Sequence, residues 1–150
     1  MTSEVQIVQF HPKHFDCMDI RQTEQDAIFS LPDAYARFEH MAQASDQAAT
    51  FRYEGRILFC AGFALLWSGV ADFWMVPSTH LKDHPFLFYR IVKRYLKVIP
   101  ETFKLHRIQT TSYDDPFHEK WMTKLGFEKE GVMRQYLQTK QNMVMYGRVF

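Results

Sequence analysis

The sequence predicts a mixed α/β domain, of the α+β kind, in which one mainly antiparallel sheet of about seven strands carries helices on both faces. Three observations predict it. Apolar segments of strand length and helix length follow one another in the order β, two helices, three strands, α, β, α, then two strands. A run of six apolar residues among Val70–Val76 leads through Pro77–His84 into a helical pattern that opens at Pro85. That strand–helix–strand passage, from Val70 to Tyr113, implies a right-handed parallel crossover inside an otherwise antiparallel sheet.

Each element has its own signals. Val5–Phe10 reads as a first strand, and His11-Pro12 breaks it into a short helix that runs to Asp19. Thr23–Ser30 reads as a short helix and Leu31-Pro32-Asp33 interrupts it. Ala34–Ala44 follows as a helix with Tyr35, Phe38, Met41 and Ala42 toward one side, and Gln43–Gln47 is its polar exit. Ala48–Tyr53 and Arg56–Leu66 are strands joined by the tight turn Glu54-Gly55. The middle of the second is almost wholly apolar, which implies a strand buried on both faces. Gly62 within it marks a bulge or a close backbone approach.

After Trp67-Ser68-Gly69 turns the chain, the Val70 strand and the Pro85 helix follow, and Pro100-Glu101 is expected to stop that helix. Its residues Arg90, Lys93, Arg94 and Lys97 recur at helical spacing. His106–Tyr113 alternates as a strand. Asp114-Asp115-Pro116 supplies a carboxylate cap and a first-turn proline for a last helix. Phe117, Trp121 and Leu125 lie four apart along it, and Gly126 suits a left-handed C-terminal residue. Phe127–Thr139 and Met143–Phe150 are expected to form a long hairpin around Lys140–Asn142. Trp67, Trp74 and Trp121 are read as core residues.

Composition narrows the function classes. With 150 residues, 47% of them hydrophobic, the chain is expected to be a single domain, 1–150, with a real core. A net charge of +1 gives no general attraction to nucleic acid or an anionic membrane. No apolar run approaches membrane-spanning length, and the start MTSEVQIVQF lacks a signal-peptide pattern. The two cysteines, Cys17 and Cys60, match no metal or redox spacing. No metal site is expected: HxxHxDC at His11–Cys17 and the pair His80/His84 both lack a standard ligand pattern. A reducing, cytoplasmic setting follows as the expectation.

The order of elements, the stretch HRIQTTSYDDPFHEKWMTKLGFEKEGVMRQY and the final MVMYGRV resemble the GNAT superfamily of acyl-CoA-dependent N-acetyltransferases. Leu125-Gly126-Phe127 followed by Glu130-Gly131 carries the likeness, which covers nearly the whole chain in topology and the last third in sequence. The resemblance implies a splayed central pair of parallel strands, with acetyl-CoA lying in the gap. It also implies that a (Gln/Arg)-x-x-Gly-x-(Gly/Ala) loop wraps the pyrophosphate before the helix. Trp74, Met75 and Val76 on the strand, and Thr79, His80, Lys82 and His84 in the loop, then become the cofactor candidates.

The chain departs from the family pattern in that loop. His80 takes the Gln/Arg position, and Asp83 and Pro85 take the small-residue positions. No glycine occurs between Val70 and Leu125. Met122 stands where the resemblance implies a tyrosine acid, and Asp115 where it implies an asparagine. Asp72 is therefore the candidate base, and Ser112 or Tyr113 the candidate donor to the thiolate; ordinary packing is the alternative for each.

The Phe73-Trp74-x-Val76-x-Ser78 stretch, charged loop and basic helix are also similar to short phage-encoded GNAT-like proteins, including virion components, in which the glycine loop is lost. Two functions lead, beside a third option, a small-molecule binding module that uses the cleft between the fourth and fifth strands. One is acetyl transfer to an unknown amine, on a small molecule or on a protein N-terminus or lysine. The other is a non-catalytic structural module that meets protein partners or a second copy of itself, in a host cytoplasm or a virion.

Overall fold

The computed structural model describes residues 4–45 and 47–150. The Met1–Ser3 start of the N-terminal stretch, and Asp46 in the predicted polar exit, lie outside the described residues. The strands are β1 (Gln6–Gln9), β2 (Gln47–Tyr53), β3 (Arg56–Trp67), β4 (Val70–Pro77), β5 (Arg107–Tyr113), β6 (Glu128–Met133) and β7 (Met143–Val149). Among the described residues they form a seven-stranded sheet in the order β1-β2-β3-β4-β5-β7-β6. The pair β4/β5 is parallel, whereas β1/β2, β2/β3, β5/β7 and β6/β7 are antiparallel. The helices are α1 (Gln22–Glu24), α2 (Ala34–Ala44), α3 (Pro85–Phe103) and α4 (Pro116–Lys124). Short 3-10 segments cover Pro12–Cys17 and Thr79–Asp83. Contacts divide the chain into two compact units, residues 1–64 with 74–85, and residues 65–73 with 86–150.

The first unit is built around aromatic rings. Phe10, Phe15, Phe38 and Val76 are buried together, with Trp74 packed against them. Phe15 meets Phe38 at 4.6 Å between ring centroids, and Phe10 meets Trp74 at 5.1 Å, both edge to face. In β3 the consecutive residues Ile57–Cys60 are all buried, as a strand covered on both faces requires. Gly62 permits a close approach: a Cβ there would lie 2.7 Å from the Trp74 indole nitrogen. The ladder irregularity falls instead between Phe51 and Arg52 of β2. Glu54 and Gly55 make the β2–β3 turn at φ of 52° and 76°. His11 caps the Pro12 turn by accepting from the Lys13 N–H. The predicted 23–30 helix begins one residue earlier and changes to a π-helical turn over Gln25–Phe29.

The second unit holds the crossover. Val70–Phe73 of β4 pair in parallel with Arg107–Thr110 of β5. Ile108 and Ala71 are fully buried and Tyr146 nearly so. Pro100 does not stop α3, which runs on to Phe103. Its missing N–H forfeits one intrahelical hydrogen bond, a cost set against the burial of its ring. Lys104, at φ 53°, ends the helix instead. Asp115 caps α4 as the sequence implies, and Gly126 takes a left-handed φ of 84° after it.

One expectation about side chains fails: Trp67 is 66% exposed and is not a core residue, and Phe117, at the start of the helical row, is 61% exposed. Strand β6 also stops at Met133, not Thr139. The ladder closes at the pair Met133/Met143, and residues 134–142 form a loop with Gln135 and Lys140 at positive φ. Polar bonds hold that loop: Leu137 N–H to Gln141 O, and Gln135 N–H to the Asn142 side chain.

Candidate functional site

In the first unit, β4 delivers the chain to the loop that precedes α3. Val76 is buried, Met75 is 40% exposed, and the Trp74 indole donates to Ser45 Oγ at 3.2 Å from within the aromatic core. Trp74 is thus committed to packing. Ser78 is pinned on arrival, because its N–H and its hydroxyl both donate to Leu58 O at 2.9 Å. The Thr79 N–H donates to Asp19 O and its hydroxyl to Asp19 Oδ2. Thr79–Asp83 wind into a 3-10 turn anchored by buried Leu81.

That turn uses its backbone donors internally. The Leu81 N–H donates to Ser78 O and the His84 N–H to Leu81 O. Together with Ser78 and Thr79, four N–H groups of the expected phosphate loop therefore bond within the chain, and Pro85 has none. What the loop offers is side chains. Lys82 is exposed. The Asp83 carboxylate is exposed too, and its Oδ2 lies 3.9 Å from His80 Nδ1. The His80 ring meets the His84 ring edge to face at 4.7 Å, and His84 meets Tyr53 at 5.0 Å. His80 Nε2 is buried with no hydrogen-bond partner. A buried polar atom left unmatched costs about 1–3 kcal/mol, so a ligand atom that supplied its partner would be favoured there. The loop fits a phosphate oxygen through side chains and does not fit a glycine-type nest of N–H groups. No acidic residue stands in the first turn of α3, which leaves the favourable end of its dipole unopposed within the helix.

In the second unit, Asp72 sits on β4 opposite Gln109 of β5. Burial pushes its carboxyl above the ordinary range, against the hydrogen bond from Gln109. Gln109 Oε1 accepts from Arg107 Nε at 3.2 Å, and Arg107 is bidentate to Glu130 at 2.6 and 2.8 Å. Asp72 is therefore the half-buried end of a polar row, oriented by an amide and not by a cation.

Farther along β5, Ser112 and Tyr113 pair with Val144 and Met143 of β7, and both are half-buried. The Tyr113 ring stands edge-on to His118 at 5.2 Å. His118 is a candidate that the sequence reading missed. Its N–H donates to Asp115 Oδ1 at 2.8 Å, and its Nδ1 lies 2.8 Å from both Asp115 oxygens. A carboxylate that fixes one imidazole nitrogen leaves the other to exchange protons in a set direction. Burial raises the Asp115 carboxyl, but the two bonds from His118 and its charge outweigh this and hold it below the usual carboxylate range. The signal was present as Asp115-Pro116-x-His118, an N-cap with histidine three residues on, the spacing at which a side chain returns to the cap.

No protein-family model matches the chain, and no curated protein matches it in sequence. Solved structures do match. The chain is similar to a GNAT-family acetyltransferase from Bacillus anthracis at 15% identity, over 99% of this chain and 96% of that one, with a TM-score of 0.71. It is similar to Ard1 from Thermoplasma volcanium at 13% identity, over 97% of each chain, with a TM-score of 0.76. An IAA acetyltransferase from Bacillus cereus matches at 7% identity over 98% of this chain and all of that one, with a TM-score of 0.70. At such identities the likeness speaks for the backbone and not for the chemistry. The likeness in backbone covers nearly the whole of each chain, and the chain has the GNAT fold.

Proposed function

We propose that this protein is an acyl-CoA-dependent N-acyltransferase whose donor-binding loop works through side chains in place of glycines. The observation that carries the reading is His80 Nε2, buried and unmatched in the turn where the fold family's resemblance implies a pyrophosphate. Bound acetyl-CoA would supply the acyl group as a thioester. Thr79, His80, Lys82 and His84 are the residues to hold it. Asp72 suits the base, because burial raises its carboxyl pKa and with it its affinity for a proton. It would take the proton that the amine loses as the new N–C bond forms and the C–S bond breaks. Ser112 or Tyr113 would donate to the departing sulfur. The acceptor is an amine, on a small molecule or a protein.

Two observations favour a second reading, a non-catalytic module in a cytoplasmic or virion assembly. The N–H groups of Ser78, Thr79, Leu81 and His84 are already bonded within the protein. Leu65, Leu66 and Trp67 at the end of β3 are all exposed, an apolar stretch suited to a protein partner or a second copy.

Calorimetry and thermal unfolding with acetyl-CoA separate the two. Acyl transfer predicts a saturable rise in melting temperature, since a ligand at about 100 times its Kd adds about 2.7 kcal/mol. His80→Ala should weaken binding about tenfold or more and leave the ligand-free melting temperature unchanged or higher. No heat and no shift at millimolar acetyl-CoA would replace the enzyme reading with the module reading.

A further inference from the structure

A cavity lies wholly within the second unit and contains none of the residues assigned above. It has a volume of about 550 Å³ and is walled by α3, by the end of α4 and by the end of β7. Pockets that hold small ligands run from about 300 to 1,000 Å³. Its floor is apolar, from buried Leu96, Leu105 and Leu125, and the rings of Tyr89 and Phe150 stand at its sides.

Its charge is one-sided. Lys93, Lys97, Lys124 and Arg148 line it, against the single carboxylate of Glu101. Among the described residues none of the four cations forms an ion pair with a carboxylate. Like charges gathered on low-dielectric walls repel one another and focus a positive potential into the cleft. The two lysines of α3 explain half of a sequence feature: of the four cations at helical spacing, Lys93 and Lys97 face this cavity.

Arg148 is held in position. Its Nη1 donates to Leu125 O at 2.8 Å, and its guanidinium carbon sits 4.9 Å from the centre of the Phe150 ring. Gly126 lies alongside it at φ 84°, where an added Cβ would come within 3.1 Å of the same carbon. The bond to Leu125 uses one of five guanidinium N–H groups, and the planar fork suits a phosphate.

We propose that this cavity binds a small organic phosphate bearing a flat aromatic group. The phosphate would meet Arg148 and the lysines, and the ring would meet Phe150, Tyr89 and the leucine floor. The site is independent of the acyl-donor reading, because it shares no residue with the His80 loop.

Thermal unfolding and calorimetry of the full chain with phenyl phosphate, AMP, adenosine and inorganic phosphate test it. Phenyl phosphate or AMP should raise the melting temperature saturably, with an effect that falls as salt is added. Adenosine and inorganic phosphate should each bind at least about tenfold more weakly. Lys97→Gln, an exposed position, should weaken binding about threefold to tenfold without changing the unliganded melting temperature, and Arg148→Gln should weaken it further. His80→Ala should leave it unchanged. The proposal is overturned if no probe binds at about 10 mM, if adenosine binds as well as AMP, if inorganic phosphate alone accounts for the affinity, or if Lys97→Gln and Arg148→Gln bind like the parent protein.

Discussion

The entries to α3 and α4 are built from the same chemical idea and end in opposite states. Each helix opens at a proline, Pro85 and Pro116, preceded by a polar residue. At α4 the preceding residue completes the start: Asp115 accepts from the His118 N–H and also holds the His118 ring. At α3 the preceding residues form a 3-10 turn in which the N–H groups of Ser78, Thr79, Leu81 and His84 are bonded while a buried ring nitrogen, His80 Nε2, is not. Natural proteins leave few buried polar atoms unmatched, and each one marks a bound water, an ion, strain or a functional role. The contrast says that α4's entry serves folding in full, whereas α3's entry keeps one interaction unspent.

The largest expected effect tests whether the α3 entry is rigid. Leu81 is buried at 9% exposure in the middle of the turn. Leu81→Ala should therefore destabilise the protein by about 2–4 kcal/mol, measured by denaturant unfolding. A cost below about 0.5 kcal/mol would mean that the turn is loosely held, and that the internal N–H bonds do not close the loop to a ligand.

A smaller effect separates the two aspartates by pH. The folded-state Asp115 carboxyl is held below its ordinary range, so the charged form is favoured on folding. Its contribution is present above the unfolded pKa and is lost as pH falls through the lower, folded value. Asp72 is shifted the other way by burial. The native state then holds that proton more tightly, and stability falls as pH rises from the unfolded pKa through the raised folded one. Asp115→Asn keeps a side-chain acceptor for the cap, so it should lower stability at pH 7 and converge on the parent in acid. Asp72→Asn should do the reverse, matching or exceeding the parent at pH 7. Parallel unfolding curves from pH 3 to 7 check the signs, and two variants with the same sign at pH 7 would break the distinction.

What the sequence disclosed follows from how local each signal is. The α4 start at Asp115-Pro116, the Gly126 exit and the Glu54-Gly55 turn are set by neighbours along the chain, and each is found where those residues place it. Helix α2 matches its predicted range for the same reason. Pro100 misled because its local cost, a missing N–H and a crowded carbonyl four residues back, is set against tertiary packing of its buried ring, which the local sequence does not show. The β6 end misled because strand pairing is closed by Met143, a partner that β6's own residues do not reveal. The site was legible only in outline. His80 could be placed in the loop by count, but its unmatched Nε2 depends on packing. His118 was overlooked because the cap drew attention to Asp115 alone.

The smallest expected effect falls on the α4 side. Spacing by four put Phe117, Trp121 and Leu125 on one helical stripe, as an amphipathic helix buries them. The stripe is real only toward its end: Leu125 is 7% exposed, Trp121 packs edge-on to Phe88 at 5.4 Å, and Phe117 is 61% exposed. In the first turn it is His118, and not Phe117, whose ring meets Tyr113 of β5. The energy of Phe117 then comes from its edge contact with the His118 ring at 5.3 Å and from little buried area. Phe117→Ser should therefore change unfolding free energy by no more than about 0.5 kcal/mol. A loss near 2 kcal/mol would show that the ring is buried against something in solution, and that the α4 entry, like the α3 entry, keeps an interaction in reserve.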